Sequence, residues 1–296
     1  MGMSVNEASA VLREATRETI RKRAIWFLVQ GALLVVAGLV ALVAPLFAST
    51  FFIVFLGWLL IIAGIGQAIA VAMGAAGAKL VLVGRSAMDE TTAALDALKA
   101  PHHTIKADLS SIEPMKSIAD EAAAWGGGVD ILVNNAGIIR RNDALDFTEA
   151  DWDAVIDTNL KSAFFLSQAV ARHMVPKGGG KIINIASLLS FQGGVRIASY
   201  TASKSGLAGL TKLLACEWAP KGINVNAIAP GYFVTNNTEA LRADEDRNAA
   251  ILARIPAGHW GNPEDLGGAA VFLASDASSF MTGQIVRPNG GAAMPW

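Results

Sequence analysis

From Ala24 to Ala78 the chain carries no charged residue. A run of that length holds two membrane spans, since one span needs about 20 apolar residues. Pro45 lies near its middle and is followed by Ala48-Ser49-Thr50, which reads as a turn. The expected helices cover residues 24–44 and 49–73, preceded by a polar amphipathic lead-in helix over 1–23. Arg21, Lys22 and Arg23 flank the first span, so the positive-inside bias keeps both chain ends cytoplasmic. The run is too long for the 7–15-residue apolar core of a signal peptide. The alternative is that part of it forms a buried strand and helix of a water-soluble domain. The run also explains the composition. The chain is 53% hydrophobic and 17% charged, against about 25% charged for a soluble domain.

After Lys79 the texture changes. Six short β-branched runs alternate with helical stretches: KLVLV (79–83), TIKAD (104–108), DILVN (130–134), KIINIA (181–186), INVNAIA (223–229) and QIVRP (284–288). Apolar strands separated by helices predict a parallel sheet covered on both faces. This is a doubly wound α/β domain, whose ligand site lies at the carboxyl ends of its strands. The formal net charge of −1 supplies no basic footprint and argues against a nucleic-acid partner. Cys216 is the sole cysteine, which excludes an internal disulfide and fits a reducing compartment. No Cys/His cluster has metal-ligand spacing, so no metal site is expected. The adjacent His102 and His103 read as surface residues.

The chemistry concentrates at strand ends. Asn134-Asn135-Ala136-Gly137 closes DILVN, where small residues admit a ligand to the backbone and asparagines can tie adjacent strands. Tyr200 and Lys204 share a helix face at a spacing of four. Ser187 ends KIINIA, and Asn159 lies upstream in a helix. A phenol titrates near pKa 10, and a neighbouring ammonium favours its ionised form. Tyr200 can then exchange a proton with an alcohol or ketone. Ser187 can hold the carbonyl oxygen.

From Gly64 to the end, these residues resemble the short-chain dehydrogenase/reductase family. NNAG (134–137), Asn159, Ser187, Tyr200-Thr-Ala-Ser-Lys204 and Pro230-Gly231 occur in the family's order and spacing. The resemblance implies a Rossmann-type fold, NAD or NADP as cofactor, and a homo-oligomer, usually a tetramer. It implies Tyr200 as general acid/base and Ser187 as substrate-oxygen donor. Lys204 would lower the Tyr200 pKa and bind the nicotinamide ribose, and Asn159 would support a water relay. Gly64, Ile65 and Gly66 would remain from the glycine-rich loop. Asp108 with Leu109 would meet adenine, and Asn135, Ala136 and Gly137 the adenosine side. Pro230, Gly231 and Thr235 would flank the nicotinamide. The stretches NNAGIIRRNDALDF, INIASLLSFQGG and APGYFVTNNTEALRADEDR narrow the resemblance to members acting on deoxy-gluconate-type sugar acids. That implies a small-molecule substrate with a carboxylate and vicinal hydroxyls. Arg140, Arg141, Gln192, Arg196, Asn236, Asn237 and Arg242 are its candidate contacts, an arginine being suited to bidentate carboxylate binding.

The start of the pattern is broken. Leu59 and Leu60 occupy the threonine and first-glycine positions of the family's T-G-x-x-x-G-x-G loop. The first strand is degenerate or replaced, and FFIVFLGW (51–58) is the one candidate to supply it. Residues 1–63 resemble a family of small bacterial membrane proteins associated with acid resistance, on the strength of Gly/Ala/Leu-rich spans and an Ala-Pro turn. The expected division is therefore an apolar helical hairpin in 1–63 and a dehydrogenase domain in 64–296. The catalytic domain would be cytoplasmic, tethered to a bacterial inner membrane. Residues 64–73 are claimed by both the second span and the first Rossmann helix. Arg85 stands where an acidic residue would bind the ribose of NAD, and it can meet the 2′-phosphate of NADP instead. The functional expectation is hydride transfer between NAD(P) and a secondary alcohol or ketone of a sugar acid. The alternative is a non-catalytic membrane-associated protein or fusion product carrying a dehydrogenase remnant.

Overall fold

The computed structural model describes residues 64–292, and the expected hairpin in 1–63 lies outside them. The chain runs α1 (Ile65–Ala75), β1 (Leu80–Gly84), α2 (Asp89–Ala97), β2 (His102–Lys106), α3 (Met115–Gly126) and β3 (Ile131–Asn134). It continues through α4 (Glu149–Ile156), α5 (Ser162–Met174), β4 (Gly180–Ile185), α6 (Ala198–Trp218) and β5 (Ile223–Ile228). Helices α7 (Glu239–Ala243), α8 (Glu245–Leu252) and α9 (Gly267–Ala274) precede β6 (Ile285–Val286).

Among the described residues every strand pairing is parallel, and the six expected runs are the six strands to within two residues. The order is β1-β2 in one piece and β3-β4-β5-β6 in another. Alternation along β4 shows why both faces need cover. Ile182 packs into a layer with Met115, Ile118, Leu166, Val170, Leu214 and Trp218. Its neighbours Ile183 and Ile185 pack with Ile69, Met73, Leu95, Leu266 and Leu273. Successive side chains point to opposite faces, so helices on both sides complete the core. Ile182 and Ile183 are fully buried, each burial stabilising the fold by roughly 1.5–3 kcal/mol.

Helix α1 corrects one expectation. Its Ile69 and Met73 lie in the core, and a Cβ on Gly267 of α9 would sit 2.7 Å from Ala72 Cβ. Residues 65–73 therefore belong to the first helix of the α/β fold and to no membrane span. Among the described residues, no helix is long and apolar enough to cross a membrane. His102 and His103 are part-buried rather than superficial, because β2 holds them: His103 Nε2 pairs with Glu121 at 2.8 Å, and its ring stacks on Trp125.

Helices α4 and α5 form one rod interrupted by a π-turn over Asp157–Lys161. Thr148 starts the rod, its hydroxyl accepting from Asp151 N at 3.2 Å, with Glu149 and Asp151 in the first turn. Such a bulge re-aims side chains within a helix, and here it carries Thr158 and Asn159.

At the carboxyl ends of β3 and β4 the sheet is tied by side chains. Asn134 Nδ2 donates to Asn184 Oδ1 at 2.8 Å and to Ser167 Oγ at 2.9 Å. Asn184 Nδ2 donates to Thr211 Oγ1 at 3.0 Å, and Thr211 donates to the Leu207 carbonyl. All four polar residues are buried. Removing the middle member takes one buried hydrogen bond from Asn134 and one from Thr211. Asn184→Leu should therefore lower unfolding free energy by about 2–4 kcal/mol, measured by urea denaturation. An unchanged midpoint would refute the network's role.

Candidate active site

The carboxyl ends of the strands open into a cleft of ≈ 530 Å³. One end is formed by Arg85 after β1 and by Asp108 and Leu109 after β2. The middle holds Gly64, Ile65 and Gly66 at the start of α1, with Asn135, Ala136 and Gly137 after β3. The far end holds Ser187, Tyr200, Lys204, Pro230, Gly231, Thr235 and Asn236. The topology brings these segments together because all parallel strands end on one side of the sheet.

Ser187 follows β4 in extended backbone, and its hydroxyl accepts from Leu189 N at 3.2 Å. Tyr200 sits in the first turn of α6, hydrogen-bonded to Ser187. Burial pushes the Tyr200 phenol above its ordinary value, while the Ser187 hydrogen bond and the Arg141 charge pull it down. Lys204 lies one turn on, buried, with Nζ 5.7 Å from the Tyr200 ring centroid. Its Nζ donates to the Ile185 carbonyl at 2.6 Å. Desolvation lowers the Lys204 pKa to about 8. The lysine points at the end of β4, and the opposing influences on the phenol come from Ser187 and Arg141.

Asn159 lies behind the cleft, 1% exposed. Its Oδ1 accepts from Ile138 N at 2.8 Å, and its Nδ2 donates to Ile138 O at 2.9 Å and to Ser203 Oγ at 3.2 Å. Ser203 in turn donates to the Tyr200 carbonyl at 2.8 Å. Asn159 therefore clamps the segment after β3 to the helix bearing Tyr200. A Cβ on Gly137 would stand 3.4 Å from Asn159 Oδ1 and 3.6 Å from Lys204 Nζ, so these groups converge on one backbone position.

The polar candidates divide. Asn236 lines the cleft, and the Arg141 charge reaches Tyr200. Arg140 pairs with Asp151 at 3.2 Å, and Arg196 pairs with Asp143 at 3.5 Å. Gln192 accepts from Arg254 at 3.5 Å, and Arg242 reaches the Thr235 carbonyl at 3.5 Å. These four engage protein partners beside the cleft rather than lining it. The Asn237 side chain lies outside what the structure describes.

Sequence reasoning missed three contributors. Thr158 lines the cleft from the π-turn, and no periodicity signals a π-turn. Ser203 lies inside the quoted TASK run yet carried no assigned role. Thr238 also lines the cleft; its hydroxyl accepts from Thr235 N at 3.0 Å and donates to Phe233 O at 2.7 Å. The Thr-x-x-Thr spacing of that capping box was the available signal.

The described residues fit a nicotinamide dinucleotide. Helix α1 opens on Gly64 with no side-chain cap and no acidic residue in its first turn, so its N–H groups suit phosphate. Among the described residues nothing lies within 4 Å of a Cβ built on Gly64, whereas one on Gly66 would stand 2.4 Å from Asn135 Nδ2. Helix α1 and the end of β3 thus meet closely at Gly66. Arg85 Nε lies 3.8 Å from Asp108 Oδ1, both exposed at the cleft's end.

The chain is similar to known proteins. The family model of enoyl-(acyl carrier protein) reductase matches residues 61–293. The 2-dehydro-3-deoxy-D-gluconate 5-dehydrogenase of Escherichia coli K12 is 55% identical over 229 residues, 77% of this chain and 90% of that protein. The gluconate 5-dehydrogenase of Gluconobacter oxydans is 43% identical over 231 residues, 77% of this chain and 90% of that protein. The crystal structure of a gluconate 5-dehydrogenase from Burkholderia cenocepacia, in complex with NADP and tartrate, matches with a TM-score of 0.75. It is 39% identical and covers 79% of this chain and 92% of that one. Fold, cleft and relatives agree: the chain belongs to the short-chain dehydrogenase/reductase family.

Proposed function

We propose that this protein is an NAD(P)-dependent dehydrogenase that interconverts a secondary alcohol and a ketone on a deoxy-gluconate-type sugar acid. One observation carries the reading: Ser187, Tyr200 and Lys204 open onto the same cleft as the glycine cradle of α1 and Arg85. The bound nicotinamide supplies the hydride acceptor for oxidation and the hydride donor for reduction. The chain supplies the proton chemistry. Tyr200 Oη removes the hydroxyl proton when the carbinol carbon is oxidised and returns it in reduction. Ser187 Oγ holds the substrate oxygen against Tyr200. Lys204 fixes the end of β4 and supplies the buried ammonium beneath the site. Asn159 holds the Ile138 backbone that forms the adjoining wall.

The sugar-acid assignment draws on the E. coli and G. oxydans relatives and on the tartrate in the B. cenocepacia structure. The Arg141 charge beside Tyr200 suits a substrate carboxylate. Arg85 suits a 2′-phosphate, which favours NADP. Exposed apolar side chains, Trp152 on α4, Leu213 on α6 and Phe280 before β6 among them, support a homo-oligomer. A membrane tether rests only on the part of the charge-free run that precedes Gly64, outside the described residues.

Tyr200→Phe should lower kcat for sugar-acid oxidation by about 10²–10⁴-fold while leaving cofactor binding and melting temperature near wild type. Retained turnover would remove Tyr200 from the chemistry. Arg85→Ala should weaken NADP binding roughly 10- to 100-fold and NAD binding little, read by fluorescence titration of the full-length chain. Equal effects on both cofactors would refute phosphate recognition. Oxidation requires the Tyr200 phenolate, so kcat/KM should rise with pH on an alkaline limb. Removing a neighbouring cation disfavours the phenolate, so Arg141→Met should move that limb to higher pH. A limb that stays in place, or moves down, would show that Arg141 does not act on Tyr200.

A further inference from the structure

The two hydroxyls of the proposed reaction come from different elements. Ser187 follows β4 in extended backbone, and Tyr200 lies in the first turn of α6, beyond a loop of residues 188–197. A substrate oxygen meets both only if they stay in register. The outer part of the loop does not set that register. Phe191 and residues 193–196 are exposed, Val195 at 73%. The Arg196 carbonyl is engaged by Asn142 N, from the loop after β3 rather than from α6. The constraint on Ser187 lies at the base of the loop.

That base is a single 3₁₀ turn, Leu188–Ser190. Ser190 N donates to Ser187 O at 2.9 Å, and Leu189 N donates to Ser187 Oγ at 3.2 Å. The second bond occupies one lone pair of the Ser187 hydroxyl and leaves its proton free to donate. Where that proton points depends on where Leu189 N stands. Two contacts hold the turn from the sheet side. Leu188 N donates to Pro230 O at 3.0 Å, and the Arg287 guanidinium lies 5.1 Å from the centroid of the Phe191 ring that follows the turn. Neither contact reaches α6.

Ser190 supplies the short tie to the catalytic helix. Its Oγ donates to the Lys204 carbonyl at 2.7 Å. A carbonyl has two lone pairs, so this one can serve the helix and Ser190 together. Ser205 Oγ reaches Leu189 O only at 3.5 Å and at the surface. Lys204 is thus gripped at both ends: its ammonium holds Ile185 O at the end of β4, and its carbonyl holds the turn that follows. A circuit closes around the site. It runs from Tyr200 along α6 to Lys204, across to Ser190, back through Leu189 N to Ser187 Oγ, and on to the Tyr200 phenol. Ser190 itself does not line the cleft. We propose that Ser190 is a positioning residue: through the Lys204 carbonyl it fixes the turn that aims the Ser187 hydroxyl at Tyr200 and at the substrate oxygen. The catalytic consequence rests on the dehydrogenase reading, whereas the geometry does not.

Tyr200 and Tyr232 are the chain's two tyrosines. Tyrosine isotopically labelled at Cζ therefore gives two resonances in the full-length chain, assigned by Tyr200→Phe, and each senses hydrogen bonding to its phenol without turnover. Ser187→Ala defines the displacement that follows loss of the Ser187 bond. Ser190→Ala should move the Tyr200 resonance in the same direction, and should add nothing on a Ser187→Ala background. It should also lower kcat for sugar-acid oxidation about 10- to 100-fold with cofactor KM near wild type. Loss of the Ser187 bond disfavours the phenolate, so the alkaline limb of kcat/KM should move up by about 0.5–1 pH unit. Ser190→Thr keeps the hydroxyl and should restore both. Ser190→Cys keeps the volume and weakens the donor, and it replaces Ser190→Ala if that variant does not fold. An unmoved Tyr200 resonance, or an equal displacement on the Ser187→Ala background, would overturn the proposal. So would a fall in activity with the limb in place, which marks a purely structural role. A wild-type chain without turnover would overturn the dehydrogenase reading, and the resonance would still decide whether Ser190 aims Ser187.

Discussion

A buried ammonium organises the carboxyl end of this sheet. Lys204 is 4% exposed, and its Nζ bonds the last carbonyl of β4 at 2.6 Å. Taking a charge out of water costs free energy unless it is paired and hydrogen-bonded. Burial therefore depresses the pKa to about 8. The linkage has a definite sign. The unfolded lysine keeps its proton to about pH 10.4, so between these values the unfolded state binds more protons. This group's destabilising contribution is full below pH 8 and is relieved as pH rises through that window. The fold carries this cost at neutral pH, and in return a cation stands beneath the phenol that moves the proton.

The polar groups around that lysine work as a frame. Asn134 and Asn184 lock adjacent strands, and Thr211 locks β4 to α6. Asn159 locks the segment after β3 to Ser203, beside Tyr200. Each buried polar side chain in this frame has a partner, the condition under which such a network rigidifies rather than weakens a core. The π-turn belongs to the same frame. It places Asn159 where both atoms of its amide meet the Ile138 backbone.

The strand runs were legible because a sheet covered on both faces leaves an unbroken β-branched signature. The motifs at their carboxyl ends were legible as a set: Ser187, Tyr200, Lys204, Gly66 and Pro230 all meet at one cleft. The distribution of charge was less legible. Sequence placed Lys204 beside Tyr200 but not the Ile185 carbonyl that engages it. Arg140 and Arg196 read as substrate contacts because the resemblance implies a carboxylate-bearing substrate, yet each has an acidic side chain within reach, in Asp151 and Asp143. Long side chains find such partners through tertiary folding, which no local pattern records. The apolar run before Gly64 was ambiguous for a sound reason: a fully buried strand and a membrane span both demand uninterrupted hydrophobicity.

One further feature joins the loops after β3 and β4. The loop after Ser187 ends at Arg196, held at φ 64°, a left-handed conformation costly for a residue with a Cβ. The Arg196 carbonyl accepts from Asn142 N at 3.0 Å, and its side chain pairs with Asp143. The loops after β3 and β4 are therefore stapled at the rim. Opened separately, each would leave the other's backbone group without its partner. Two segments far apart in sequence are thereby coupled, and a displacement of either is felt directly in the backbone of the other.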